Sequence, residues 1–150
     1  MIRIQEDDFD PGIEISKLTD GQTHIGGVCS FIGLVRDFSD DHKLTSMTLE
    51  HYPGMTEKQL LHIEDEAFER WHLDGLSIVH RVGKLHAGDR IVFVAAASAH
   101  RADAFEACNF VMDWLKTKAP FWKKETGTSG DHWVETKATD EASSKRWDKS

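Results

Sequence analysis

The feature that most constrains the fold is an uninterrupted apolar run at residues 91–97, Ile-Val-Phe-Val-Ala-Ala-Ala. A strand that is apolar on both faces belongs in the interior of a sheet, because a strand with one solvated face alternates apolar with polar positions. The preceding segment, residues 76–85, reads as another strand and is joined to the run across an Ala-Gly-Asp turn at 87–89. We therefore predict a hairpin whose second strand is central in the sheet.

Pairs of strands alternate with single helices along the rest of the chain. A capping box of Thr56 and Gln59 predicts where the first helix begins, and Pro120 ends the second, because proline disfavours helical geometry in the residue before it. The predicted elements are strands at 26–37 and 44–52, a helix at 56–72, the hairpin, a helix after residue 101, and closing strands at 121–126 and 132–137. Hairpins dominate this order, which predicts an α+β fold with a largely antiparallel sheet.

The two ends of the chain carry weaker signals. The first 25 residues are polar and show only the turn signals Pro11-Gly12 and Asp20-Gly21. From Ala138 the chain is a short polar tail, for which we expect flexibility, with order only against a partner. With no linker and no internal repeat, residues 1–150 are predicted to form one domain.

Composition excludes several classes of function. A formal net charge of −8 argues against general nucleic-acid binding. No apolar run approaches the roughly 20 residues that span a membrane, and the acidic N-terminus has no signal-peptide core, so we predict a cytoplasmic protein. Cys29 and Cys108 form no C-x-x-C pattern and are predicted to be buried structural thiols. The histidines are scattered, and we predict neither a metal site nor a cofactor.

One short segment reverses the acidic character of the chain. Residues 115–125 hold four lysines around a proline and two aromatics, and no acidic residue occurs between Trp114 and Lys124. In a strand, Phe121, Lys123 and Glu125 share one face. The segment is then a phosphate clamp, a pair of catalytic lysines whose pKa is lowered by apolar surroundings, or ordinary surface. Periodicity alone favours a solvated charge run.

Two further basic positions fit anion binding. His100 and Arg101 fall between the central strand and the second helix, where free backbone amides and the helix dipole favour an anion. From spacing alone, an anion-binding site and a solvent-exposed helix start explain these two residues equally well. Arg36 closes the first strand after Gly33, and by itself is better explained as half of a surface ion pair with Asp37.

Together these segments resemble one family. The specific motifs are L-E-H-Y-P-G-M at 49–55 and K-x-x-A-P-F-W-K at 116–123. Shorter matches are F-I-G-L-V-R at 31–36, H-R-V-G at 80–83, G-D-R-I-V-F-V at 88–94, S-A-H-R at 98–101, F-E-A at 105–107 and W-V-E at 133–135. The chain is identified by these motifs, from about residue 26 onward, as similar to the large, catalytic subunits of molybdopterin synthase, the MoaE family.

The resemblance implies a sulfurtransferase that converts cyclic pyranopterin monophosphate into molybdopterin in molybdenum cofactor biosynthesis. Sulfur arrives as the C-terminal Gly-Gly thiocarboxylate of a small ubiquitin-like partner, MoaD-like, whose tail inserts into the large subunit. The family assembles as a heterotetramer around a homodimer of large subunits. Its fold is an α/β hammerhead with an additional antiparallel region, in agreement with the α+β prediction.

The resemblance also assigns site residues. Lys116 and Lys123 become the catalytic pair, with one lysine steering the anion and the other handling protons. The implied substrate-binding residues are Leu34, Val35, Arg36, His100, Arg101, Lys116, Lys123, Lys124 and Glu125, with His100 and Arg101 contributed from the same chain or across a dimer. The alternative is a non-catalytic module that binds a phosphate, a pterin or a partner's acidic tail.

Overall fold

A computed structural model describes residues 1–39, 42–127, 130–133 and 138–148, with side chains at 1–37, 46–127 and 140–148. Two sheets and four helices make up this part of the chain. In chain order the elements are β1 (Ile2–Gln5), α1 (Pro11–Thr19), β2 (Gly27–Leu34), β3 (Phe38–Ser39), β4 (His42–His51), α2 (Met55–Arg70), β5 (Gly75–Arg81), β6 (Gly83–His86), β7 (Arg90–Ser98), α3 (Arg101–Thr117), β8 (Phe121–Gly127), β9 (Gly130–Trp133) and α4 (Ala138–Lys145).

The first sheet has the order β1-β5-β7-β2, so the apolar run lies in an interior strand as predicted. Strand β1 is parallel to β5, and the other pairs are antiparallel. Helices α2 and α3 cover one face with a core that includes Leu60, Ile63 and Val111. Helix α1 and Phe9 cover the other face against Val79 and Phe93. The α+β prediction is confirmed, with β2 left at the edge of this sheet.

The second sheet has the order β3-β4-β8-β9, with β6 also paired to β4. Its strands β4 and β8 run antiparallel over most of their length, with Leu49 opposite Lys123 and Met47 opposite Glu125. Residues 134–137 of the predicted last strand lie outside the described residues. This sheet carries Lys123, one of the two lysines of the candidate site.

A single glycine connects the two sheets. The predicted strand at 76–85 is two strands, β5 in the first sheet and β6 in the second. Val82 lies between them, and Gly83, the first residue of β6, has a φ of 89°, a left-handed conformation that side-chain-bearing residues rarely adopt. The hairpin prediction holds for β5 and β7, but it is wrong for β6, which leaves the first sheet to pair with β4.

The two ends of the chain are more ordered than the sequence indicated. Ile2 and Ile4 of β1 pack against the main core, and the Asp10 carboxylate caps α1 by accepting from the amides of Gly12 and Ile13. At the other end, helix α4 packs on α3. Trp147 donates to Asp113 at 2.6 Å and meets the ring of Phe110 edge-on. The tail is thus held by the chain itself, where we had expected order only against a partner.

Candidate active site

The structure brings Lys116 and Lys123 together. Lys116 lies in the last turn of α3, Lys123 lies in β8, and the two side chains are close enough for Lys116 to lower the pKa of Lys123. Burial, followed by the charge of Lys116, lowers the pKa of Lys123 to about 8, against the opposing charges of Glu125 and Asp140. A pKa near 8 gives Lys123 both protonation states close to neutral pH, which a solvated lysine lacks.

The alternation of β8 accounts for which side chains enter the site. Phe121, Lys123 and Glu125 are at least half-buried, and Glu125 is only 6% exposed. Trp122 points the other way and is 47% exposed. Lys124 shares the face of Trp122 by the same alternation, so it stands apart from the lysine pair. Its predicted role in substrate binding stays a prediction.

The turn between α3 and β8 is held by a buried threonine. Thr56 is fully buried, accepts a hydrogen bond from the Tyr52 amide at 2.9 Å and donates to the Pro120 carbonyl at 3.1 Å. The predicted capping box at Thr56 is wrong: Gly54 is the N-cap residue of α2, and the Glu57 carboxylate accepts from its amide. The threonine instead joins the start of α2 to the start of β8, which fixes where the strand carrying Lys123 begins.

A buried histidine lies near the lysine pair, and the sequence analysis assigned it no role in the site. His80, in β5, stacks on Phe121 with ring centroids 3.9 Å apart and planes 13° apart. Its Nδ1 lies 2.8 Å from the carbonyl oxygen of Arg81. Burial, followed by the charges of Lys123 and Lys116, lowers the pKa of His80 to about 4. The only hint in the sequence is a polar residue directly after the apolar run 78–79.

Leu34, Val35 and Arg36 lie at the end of the edge strand β2. Val35 is buried and donates its amide to the Asp89 carbonyl at 2.9 Å, while Leu34 is 55% exposed. Arg36 borders an open cleft of about 460 Å³ together with Asp37, Ala87 and Gly88. In register, Leu34 pairs with Arg90, which places this group at the end of the sheet where β7 begins.

His100 and Arg101 lie at the opposite end of the sheet. His100 is the N-cap residue of α3, its side chain makes no capping bond, and both residues are exposed. Arg101 and Lys116 are separated by 15 residues of one helix, which at 1.5 Å per residue is about 22 Å along the axis. One chain therefore does not bring His100 and Arg101 to the lysine pair.

The cysteines and acidic groups form no further centre among the described residues. Cys108 is buried as predicted, whereas Cys29, in the edge strand β2, is only partly buried. Both thiols are free, and burial together with the neighbouring Cys29 raises the pKa of Cys108. Among the residues that the structure describes, no group of three or more histidine, cysteine or acidic side chains could hold a metal ion. Within that same part of the chain, no helix is long and apolar enough to cross a membrane.

The structure is of the α+β class, and it places the helix-borne Lys116 close to the strand-borne Lys123. The family described as the MoaE protein matches residues 4–118. A molybdopterin synthase catalytic subunit from Ralstonia nicotianae is 55% identical over 97% of this chain and 83% of its own length. One from Pseudomonas aeruginosa is 54% identical over 98% of both chains.

Solved structures agree with this result. A molybdopterin biosynthesis MoaE protein from Burkholderia ambifaria superposes with a TM-score of 0.82, at 51% identity, over 98% of this chain and 97% of that one. The chain belongs to the MoaE family.

Proposed function

We propose that this chain is the catalytic subunit of a molybdopterin synthase and that it converts cyclic pyranopterin monophosphate into molybdopterin. The observation that carries the proposal is the proximity of Lys116 to the largely buried Lys123, whose pKa is lowered to about 8. A general acid or base works best when its pKa lies near the working pH, and this lysine meets that condition. The similarity to relatives named molybdopterin synthase catalytic subunits supports this reaction class.

The chemistry needs an anion guided to a reacting carbon and protons moved during bond changes. The thiocarboxylate sulfur of a small ubiquitin-like subunit attacks the pterin side-chain carbons. One lysine holds the anionic groups by charge, and the other exchanges a proton with the substrate. Opening of the cyclic phosphate leaves a terminal phosphate, for which Arg36 offers a planar guanidinium fork. Hydrolysis of the acyl link releases the small subunit as a carboxylate and leaves the first sulfur on the pterin. A second thiocarboxylate then displaces the oxygen on the other side-chain carbon, which leaves as water, and hydrolysis frees that sulfur in the same way.

The separation of the site residues supports a homodimer with shared sites. Strand β2 is an edge strand whose side chains Phe31, Ile32 and Leu34 are between 38% and 55% exposed. A long, apolar, uncovered edge is normally paired or covered. Antiparallel pairing of β2 with the same strand of a second copy would set its Gly27 end beside the Leu34 end of the other.

This arrangement would complete the candidate site. The Gly27 end of β2 is in register with Ser98, two residues before His100, whereas the Leu34 end is in register with Arg90. A two-fold dimer through β2 thus sets the His100 and Arg101 of one copy beside the Arg36 cleft of the other. His80 pairs with Val92 near the same end of β7, and Lys116 and Lys123 act on His80 electrostatically, so the lysine pair belongs to that end too.

The decisive experiment is reconstitution. The full chain is incubated with the thiocarboxylated small subunit and cyclic pyranopterin monophosphate, and dithiolene product is measured. The expected result is product formation by the wild type, none with a small subunit that ends in an ordinary carboxylate, and a loss of at least about 100-fold for Lys123→Ala with the partner complex intact. Absence of product from an intact wild-type complex overturns the proposal.

The same assay separates catalysis from plain binding. A binding module would lose affinity for the pterin or the partner tail in proportion to the charge removed by Lys116→Ala or Lys123→Ala. The catalytic subunit instead retains most of its binding and loses turnover. Titration calorimetry with the small subunit, run beside the product assay, gives both quantities on one preparation.

A further inference from the structure

His80 is a buried titratable group that the proposed reaction does not use. It is 6% exposed in β5, and the flat face of its ring lies against Phe121. Phe121 is the first residue of β8, and Lys123 follows two positions later on the same face. His80 therefore touches the residue from which the lysine-bearing strand starts.

The hydrogen bond of His80 fixes the form of its ring. A carbonyl oxygen only accepts, so the contact of 2.8 Å between Nδ1 and the Arg81 oxygen places the proton on Nδ1. The second ring nitrogen then carries no proton in the neutral imidazole. The pKa of about 4, caused by burial and then by the charges of Lys123, Lys116 and His51, keeps the ring neutral at physiological pH.

A neutral aromatic ring at this position has two effects on the lysine pair. It adds no positive charge to a site that already holds two lysines, and it fills space that water would otherwise occupy. The charged groups acting on Lys123 come from three elements: Lys116 of α3, Glu125 of β8 and Asp140 of α4. Burial is nevertheless the largest influence on the lysine, so exclusion of water at its strand matters more than any one charge.

We propose that His80 is a positioning residue for the catalytic lysines: its neutral ring, protonated on Nδ1 and stacked on Phe121, holds the start of β8 and keeps water away from Lys123. This inference rests on the proposed function for its catalytic consequence. The arrangement itself concerns the ring, the strand and the lysine, and it can be measured without substrate.

The test compares His80→Ala with His80→Phe, using His62→Ala on the exposed surface of α2 as the matched control. Removing the ring admits water, so the pKa of Lys123 is expected to rise from about 8 toward its ordinary value of 10.5. For this variant kcat should fall at least tenfold at pH 7.5 while KM for the pterin stays within about threefold. Phenylalanine restores the ring and should retain kcat within about threefold of wild type.

Lys123 is titrated by NMR after reductive methylation, and nitrogen NMR of the wild-type histidines reports the protonation of His80. Equal, large losses in folded Ala and Phe variants would overturn the proposal, as would an unchanged Lys123 titration in His80→Ala. A His80 that carries its proton on the other nitrogen, or that titrates near pH 6.5, overturns it as well. If His80→Ala does not fold, the Phe variant and the wild-type spectra decide.

The two NMR measurements need neither partner nor pterin. If they agree with the expectation while wild-type protein forms no product, the proposed function fails and the arrangement around His80 stands. If product forms normally but the ring substitutions leave both kcat and the lysine titration unchanged, only the inference about His80 fails.

Discussion

At the scale of single residues, the candidate site depends on Lys123, whose surroundings disfavour its charged form. Lys123 loses hydration and faces a second ammonium group, and both effects disfavour its charged form. In the unfolded chain Lys123 is hydrated and has no neighbouring ammonium group. The lysine therefore binds its proton more weakly in the folded state. Protonating it at neutral pH therefore reduces the stability of the fold, and the same property suits it to proton transfer.

Replacing Lys123 with methionine should therefore stabilise the protein while abolishing activity. The penalty is fully present below about pH 8, the folded pKa, and disappears as the pH rises through 10.5, the ordinary value for lysine. We expect Lys123→Met to raise Tm by about 3 °C at pH 7 and the gain to shrink toward pH 10. Differential scanning calorimetry across this range checks it, with Lys58→Met on the exposed face of α2 as control. A gain that is independent of pH contradicts the explanation.

At this scale the sequence identified the two lysines of the candidate site, but not the buried His80 and Thr56 beside them. The resemblance to the family identified Lys116 and Lys123, whereas periodicity alone favoured a solvated surface. Periodicity fails here because a helix-borne and a strand-borne lysine come close only after the turn at Pro120 has folded. His80 and Thr56 were missed for a related reason. Their partners, Phe121 and the Pro120 carbonyl, lie 41 and 64 residues along the chain.

At the scale of secondary-structure elements, the turn between α3 and β8 is the joint on which the site depends. Thr56 bonds a partly buried amide and a partly buried carbonyl with one hydroxyl group. Valine has nearly the same shape and can do neither. Buried polar groups without partners are costly, and the loss falls where the lysine-bearing strand begins.

Thr56→Val is expected to lower the free energy of unfolding by about 2 kcal/mol and to reduce kcat more than it raises KM. Urea unfolding and steady-state assays measure the two effects. Thr23→Val, at an exposed position, is the control and should change stability by less than about 0.5 kcal/mol. Wild-type stability in Thr56→Val would mean that water replaces both hydrogen bonds.

Helix α4 is held on α3 by one residue in particular. Trp147 packs against Trp71 and Phe110, both with centroids 5.6 Å away, while its indole donates to Asp113. Trp147→Ala should release the segment without unfolding the domain. We expect amide-exchange protection at residues 140–148 to fall at least about tenfold, with that of β7 unchanged. The exposed Trp122→Ala is the control, and equal loss of protection in both elements contradicts local release.

The elements themselves were predictable to differing degrees. Helix α2 and strand β7 carry strong apolar patterns and were found, with ends displaced by a few residues. The short elements β1, α1 and α4 gain their order from contacts with distant parts of the chain, which no local pattern reveals. The division at Gly83 depends on which sheet each half-strand joins, and that is a property of the whole fold.

At the scale of the whole molecule, the proposed dimer predicts that two inactive variants can restore activity when their subunits are mixed. A double variant lacking His100 and Arg101 and a second lacking Lys116 and Lys123 should each be inactive. If each site draws on both copies, a mixed dimer contains one intact site and one that lacks all four side chains. Random exchange of subunits should then restore about one quarter of wild-type activity per chain.

The measurement is a product assay before and after the two variants are unfolded and refolded together. Leu34→Lys, on the exposed edge of β2, should block the recovery and shift the protein toward monomer in light scattering. Ile13→Lys, on the equally exposed surface of α1, serves as the matched control. No recovery from a confirmed mixed dimer means that every site is completed within its own chain.

In the proposed dimer, helix α3 connects the two active sites mechanically. In the proposed dimer each copy of this helix is a rod about 25 Å long with one end in each of two active sites. The sites are then mechanically linked, and an axial displacement of the rod is felt in both. A bulky residue at the fully buried Ala107, midway along the helix, touches neither pocket and yet should impair them together.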